Sequence, residues 1–531
     1  MKKLSIKILT VLAAVLTAAA AWGANTNTIE AMQEVADMLG AELSGPVQYA
    51  AIQTSAGVIA HYTASVKVGE GRAIPLDPST QQPIMAQAYS YTDTIRIHRV
   101  IRETSPGVPA ETENGILCSG GDISTFNLIY MPTTLPDPTG QTNFTLGQII
   151  GNPDHSLGIY LAQNGMDVWG IDWRWATIPM DKPPVEIRFP DFGSDSYFGL
   201  GYMNTETHLD DFELALKIAR LTRGLTGQGN GKIYVTGFSR GAYMTVALAN
   251  RQAVYSGVSR DIKGIIPVDF AIKSDDPTLT GTGCARTAGY DHVVAGNGGV
   301  YPPFNDPNII PPFFNPTGMA LIGAAYDSLV NPDGTNQLFG VSNKNVYDIF
   351  TGATWFPFHL IAGGSGDWQW SFNKEAPIVT LDKSNTDNPY YGVLPFPIVF
   401  PNPQLPNVPD TDMVFTNYSY MQLASFYVAP FQSYGEQRDS MVYLCEGDED
   451  SPYDDNLSEI HIPVLVVAAE GGAAAGSAND LLIRLGGDEK QILVVSGSGG
   501  GYGHADLYFA NDADTQFWQP LLNWLQNRDE E

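Results

Sequence analysis

The run Ile233-Tyr234-Val235-Thr236 leads without a break into Gly237-Phe238-Ser239-Arg240-Gly241, and a helical pattern follows over Ala242 to Ala249. Five residues of the form G-x-S-x-G arise by chance fairly often. Between an apolar strand and a helix they constrain the chain sharply, because a strand-to-helix turn this tight tolerates only small neighbours around a strained central residue. Such a turn lifts a serine hydroxyl off the end of a strand. It also aims the backbone N–H of the next residue at the place where negative charge gathers on an attacked carbonyl oxygen. Ser239 is therefore the candidate nucleophile and Arg240 the candidate first oxyanion donor. The structural alternative is a serine that only caps a helix.

The surrounding pattern alternates strand and helix. Ile29 to Leu39 reads as a short amphipathic helix, and Gln48 to Val68 and Thr92 to Arg102 read as strands rich in Val, Ile, Thr and Tyr. Phe126 to Met131 reads as a short apolar strand, followed by a helix around Leu157 to Leu161 and a strand over Asp167 to Asp172. From His208 to Leu221 the residues Phe212, Ala215, Leu216 and Ala219 recur at helical spacing, with Asp210 and Asp211 in the first turn. Ile262 to Asp269 is another strand. Core signals resume with Pro463 to Ala469 and Gln491 to Ser496 as strands, and Asp480 to Leu485 and Thr515 to Leu525 as helices. Repeated strand and helix imply an α/β fold with a mostly parallel sheet.

Between these blocks, residues 271–455 are rich in Pro, Gly, Asn and aromatics, as in the stretches beginning at Tyr301 and Thr354. A structureless loop of that length is improbable in a compact domain. A cap or lid inserted between core strands is expected, with Tyr418 to Tyr427 as one of its helices. Residues 25–270 and 456–531 then form the first and last parts of the core.

The first 24 residues carry Lys2, Lys3 and Lys7 ahead of an apolar run ending near Ala21, with small residues at Gly23 and Ala24. This is the pattern of a signal peptide and implies a secreted or periplasmic protein. No later stretch is long and apolar enough to span a bilayer. The formal charge is −29, and about −32 once the leader's three lysines are removed, a surface that repels nucleic acid and anionic membranes. Of the three cysteines, Cys284 and Cys445 are the favoured pair, because they would staple the middle segment to itself. Cys118 could pair with either.

A serine of this kind needs a general base. Of eight histidines, His504 is the one that fits: it ends Gly497 to His504, a glycine-rich loop between the last core strand and the last helix. His461 precedes a strand and reads as structural, whereas His292 and His359 could line a cleft. Asp172, Trp173 and Arg174 follow a core strand and either border the cleft or form a structural salt bridge. Glu446 to Asp455 holds six carboxylates in ten residues, enough to bind Ca²⁺, although an acidic solvated loop is the default and no other cofactor or metal is indicated.

The stretches YLAQNGMDVWGIDWR, IYVTGFSRGAYM, IHIPVLVVAAEGG and GYGHADLYF together resemble the α/β-hydrolase superfamily over residues 126–270 and 455–528. The resemblance implies the α/β-hydrolase fold, with Ser239 and His504 in a triad. Members with Asp at the nucleophile position act on haloalkanes or epoxides, so serine points to acyl transfer. In place of the superfamily's His-Gly oxyanion element the chain has Met131-Pro132-Thr133, and Pro132 has no N–H. The second donor is thus expected at Thr133, or at Met131 if the turn differs. The usual position of the acid holds Gly472, which leaves Asp269 at the end of the preceding strand, Glu470 or Asp480. Asp269 is preferred. The expected activity is hydrolysis of a small-molecule carboxylic ester, with a bulky apolar or aromatic part suggested by the aromatic insertion. A peptidase or lactonase with the same triad is the nearer alternative, and a non-catalytic binding protein on a hydrolase scaffold the more distant one.

Overall fold

The computed structural model describes residues 27–68, 94–177, 203–253, 261–277, 317–335, 415–445, 450–497 and 500–528, except residues 122 and 431, with short pieces between 279 and 291 and between 342 and 347. Residues 1–26, with the expected signal peptide, the aromatic stretches at Tyr301 and Thr354, His292 and His359 lie outside the described residues.

Among the described residues, twelve strands form one sheet: β1 (Glu42–Leu43), β2 (Gln48–Thr54), β3 (Gly57–Lys67), β4 (Thr94–Ser105), β5 (Val108–Pro109), β6 (Asn114–Ser119), β7 (Met166–Asp172), β8 (Ile233–Phe238), β9 (Ile262–Val268), β10 (Val464–Ala469), β11 (Lys490–Gly497) and β12 (Gly500–Gly501). The main order is β1-β3-β4-β7-β6-β8-β9-β10-β11-β12, with β2 on β3 and β5 on β4. From β7 to β11 neighbours run parallel, while β4 pairs antiparallel with both β3 and β7. Two groups of helices flank this sheet. Thr28–Leu39, Thr205–Leu225 and Arg240–Ala253 form one, and Leu157–Gln163 packs with the C-terminal Asp514–Gln526 segment in the other. The architecture is an α/β-hydrolase fold.

Burial explains why the strands sit where they do. All residues of β6, β7, β8 and β10 are buried, as a parallel sheet covered on both faces requires. The outlying β3 instead alternates, with Ala60, Tyr62, Ala64 and Val66 inward. One expected element changes type. Phe126 to Met131 is not a strand: Phe126–Tyr130 is a helical turn whose entry is capped by the Thr125 side chain accepting from Leu128 N at 3.2 Å. The core strand of this region is β6, twelve residues earlier in the chain. A short apolar run cannot by its periodicity be told from a helical turn, and here the cap decides.

Buried charges in the sheet are paired. Asp167 on β7 accepts from Arg99 at 2.8 Å and Arg223 at 2.9 Å. On β3, β4 and β7, His61 Nε2 meets His98 Nδ1 at 3.1 Å and His98 Nε2 meets Asp172 Oδ2 at 3.1 Å. Burial, reinforced by repulsion from His98, lowers the His61 pKa to about 3. The unfolded chain, with an ordinary imidazole near pH 6.5, therefore binds more protons than the folded one below that pH.

Cys284 and Cys445 form a disulfide that closes 161 residues of chain, and Cys118 is buried in β6, where desolvation pushes its thiol pKa up. Of the stretch expected to be inserted, the helices Thr317–Val330, Tyr418–Ala424 and Tyr434–Cys445 are described. The last meets the core through Asp439, whose carboxylate accepts from Thr205 N at 3.0 Å, and through Tyr443, whose ring stands edge-on to Tyr243.

Two predictions follow from this packing. His61→Gln will flatten the fall in stability between pH 6.5 and 3, measured by denaturant titration across that range; an unchanged slope would refute the assignment. A thiol reagent will find no reactive cysteine in the native protein, one in denaturant and three after reduction.

Candidate active site

The G-x-S-x-G turn has the shape its glycines require. A Cβ at Gly237 would lie 2.0 Å from the Gly241 carbonyl oxygen, and one at Gly241 would lie 3.0 Å from the carbonyl oxygens of Ser119 and Gly120. At Gly237 only a hydrogen fits, and at Gly241 a side chain would press on the backbone that ends β6. Ser239, at the apex, has φ 57° and is held there by its N–H donating to Val268 O at 2.9 Å while its carbonyl accepts from Ala242 N at 2.8 Å. Among the described residues, one other non-glycine has positive φ: Asp269, at 51°. Left-handed backbone is strained for both residue types and persists where neighbouring bonds over-determine it.

Asp269 follows β9 and its carboxylate is fully buried. Oδ1 accepts from the amides of Ala469 at 3.2 Å and Ala474 at 3.0 Å, and Oδ2 from Ala473 N at 3.3 Å. Oδ2 also meets His504 Nδ1 at 2.7 Å. An ionised carboxylate only accepts, so this contact fixes the proton on Nδ1 and leaves a lone pair on Nε2. The His504 ring stacks at 4.4 Å on Phe238, the neighbour of Ser239, and Tyr508 packs edge-on against the same phenyl ring. Behind His504, Asp506 holds the loop by accepting from Gly503 N at 2.8 Å and Thr416 Oγ1 at 2.6 Å. Ser239, His504 and Asp269 are each at most 1% exposed.

The other acid candidates stand elsewhere. Glu470 is exposed at the end of β10, and Asp480 accepts from Asp275 N at 2.8 Å and Ser274 Oγ at 3.2 Å, anchoring the loop after β9. Gly472 cannot bear an acid, because a Cβ there would fall 2.1 Å from Asp269 Oδ2.

Thr133 is not brought to the serine turn. Its N–H donates to Ser156 Oγ at 3.2 Å and its hydroxyl bonds the same oxygen, in a short helical turn beyond Phe126–Tyr130. The backbone at the turn is instead Gly120-Gly121, directly after β6: a Cβ on Gly121 would meet Arg240 N at 2.5 Å and Gly241 N at 2.3 Å. Trp173 Nε1 donates to Gly120 O at 2.7 Å and Tyr130 OH to Ser119 O at 3.1 Å, fixing this segment. Sequence reading passed over it because β6 was not recognised. The signal was the glycine pair immediately after the apolar run Ile116 to Cys118.

Other buried polar residues have structural partners. Arg174 pairs with Asp211 at 2.7 Å, His155 with Ala510 O at 2.7 Å and His208 with Glu436. Ligand atoms of Asp450, Asp454 and Asp455 lie within 4.8 Å of one another, and Lys273 pairs with Asp454. The described residues hold no helix long and apolar enough to cross a membrane.

No protein-family model matches the chain, and no curated protein matches it. Solved structures do. One is a protein from Sulfolobus solfataricus provisionally named a lipase (16% identity, 91% of this chain and 99% of that one, TM-score 0.46). Another is a soluble variant of monoglyceride lipase from Saccharomyces cerevisiae (10% identity, 87% and 97%, TM-score 0.36). A third is a monoacylglycerol lipase from Paleococcus ferrophilus (12% identity, 79% and 96%, TM-score 0.33). Strand order and register, rather than these likenesses, define the fold.

Gly472→Ala will force the Asp269 carboxylate from its place and lower unfolding stability by roughly 1–3 kcal/mol, the usual cost of overpacking. Chemical denaturation checks this, and an unchanged midpoint would mean that the carboxylate has room to move.

Proposed function

We propose that this chain is a serine hydrolase that cleaves carboxylic esters through an acyl-enzyme. The observation that carries the reading is the 2.7 Å bond between Asp269 and His504, made beside a serine held in left-handed backbone at a strand-to-helix turn. With the proton held on Nδ1, His504 Nε2 takes the Ser239 hydroxyl proton as Oγ bonds to the acyl carbon. The tetrahedral oxyanion accepts from Arg240 N–H and from the backbone of the Gly120-Gly121 segment. Collapse breaks the ester C–O bond, and the same proton leaves with the alcohol. Water then gives a proton to His504 and its oxygen to the acyl carbon, and the proton returns to Ser239 as the acid departs. No metal or organic cofactor is required by these steps.

The same reading places the protein outside the cytoplasm. The lysine-headed apolar leader supports it, and so does a disulfide closing 161 residues, a bond that persists in oxidising compartments.

Hydrolysis of p-nitrophenyl esters of rising acyl length tests the proposal. The mature protein turns them over, Ser239→Ala loses at least about 10³-fold in kcat/KM, and Asp269→Asn loses about 10³–10⁴-fold because the histidine tautomer is no longer fixed. Absence of turnover together with absence of fluorophosphonate labelling at Ser239 would refute it. Cleavage of aminoacyl anilides at comparable rates would redirect it to peptide bonds.

A further inference from the structure

Five of the eight residues from Gly497 to His504 are glycine. Such backbone is freer than any other, so the bond from Nδ1 to Asp269 fixes one atom of the His504 ring without fixing the chain that carries it. General-base work demands more, because a catalytic group has to be held to within a fraction of an ångström by its surroundings.

Asp506 supplies a second hold. Its carboxylate is fully buried, with Oδ2 accepting from Gly503 N at 2.8 Å and Oδ1 from Thr416 Oγ1 at 2.6 Å. Asp506 N donates back to Gly503 O at 3.2 Å, so His504 stands inside a turn closed by the residues on either side. Thr416 is also buried and lies in the chain between β9 and β10, 90 residues before Asp506. A hydroxyl donating to a buried anion at this distance is among the stronger hydrogen bonds a side chain makes. The neighbours of Thr416 meet the same loop. Phe415 O accepts from Asn511 N at 2.9 Å, Thr416 bridges to Ala510, and the Phe415 ring stands 4.9 Å from that of Tyr502. A Cβ on Gly497 would fall 2.1 Å from the Phe415 ring. From the other side Gly471 N donates to Tyr502 O at 2.8 Å. The histidine loop is thus gripped between the end of β10 and the chain at Phe415 and Thr416.

We propose that Asp506 is a positioning residue for His504, anchored through Thr416, so that the chain between β9 and β10 sets the orientation of the general base. The proposal rests on the role given to His504 but is tested separately from it. The Nδ1 proton shared with Asp269 gives a far-downfield proton NMR signal, assigned by its loss in His504→Gln. Thr416→Val keeps the side chain's shape and removes the donor. The signal will broaden or move in Thr416→Val and return in Thr416→Ser. In parallel, kcat for a p-nitrophenyl ester will fall by about 10–100-fold in Thr416→Val with KM unchanged, the scale on which a small misplacement costs rate. If Thr416→Val does not fold, Asp506→Asn, with one acceptor oxygen where the carboxylate has two, is judged in the same way. A signal that the variant leaves in place, even at lowered stability, overturns the proposal. So does a signal that Thr416→Ser fails to restore, a wild type that shows none, or an unchanged kcat in an active enzyme. A signal that moves and is restored in a protein hydrolysing no ester supports the positioning and refutes the reaction.

Discussion

The carboxylate of Asp269 is the point on which the rest of the site depends. It is fully buried, and a buried anion is tolerable only when its oxygens are satisfied. Three amides from the end of β10 and the loop after it, together with the His504 imidazole, supply that satisfaction. The arrangement joins β9, β10 and the C-terminal loop at one atom group. It requires left-handed backbone at Asp269 and the absence of a side chain at Gly472.

The sequence was most legible where the controlling forces are local. Gly237 announces the serine turn because the clash that forbids a larger residue there, with Gly241, arises within five residues of chain, whereas Gly241 is confined by Ser119 and Gly120 at the end of β6. His504 was legible from its glycine-rich loop and its place after the last core strand. The acid was not fixed to the same degree. Asp269, Glu470 and Asp480 all end or begin core elements, and only the pairing of β9 with β10 brings the first of them under the histidine. The expectation of a second oxyanion donor at Thr133 has a connected cause. Phe126 to Met131 has strand-like composition, and taking it as the core strand moved the expected donor to Thr133. The Thr125 cap makes it helical, and β6 supplies the strand.

Strain at the two left-handed residues costs on the order of 1–3 kcal/mol each, and that cost is met by bonds from outside the turn. Ser239 is anchored to β9 through Val268 O, and Asp269 N donates back across to Val467 O on β10 at 2.8 Å. Neighbouring strands thus hold each other's ends. Trp173, reaching from beyond β7 to Gly120 O, extends the same bracing to the loop beside Arg240. The site rests on strand termini of a covered parallel sheet, which makes it more rigid than a site carried by loops alone.

His504 stands 235 residues after Asp269 in the chain. During synthesis at about 5–20 residues per second, roughly 10–50 s pass between the appearance of the carboxylate and that of its imidazole partner. Throughout that interval the serine turn exists on a nascent chain with nothing to withdraw its proton. On the proposed mechanism reactivity therefore arrives last, in step with the closing strand and helix, and a copy that stops short of His504 is chemically silent toward whatever esters surround it.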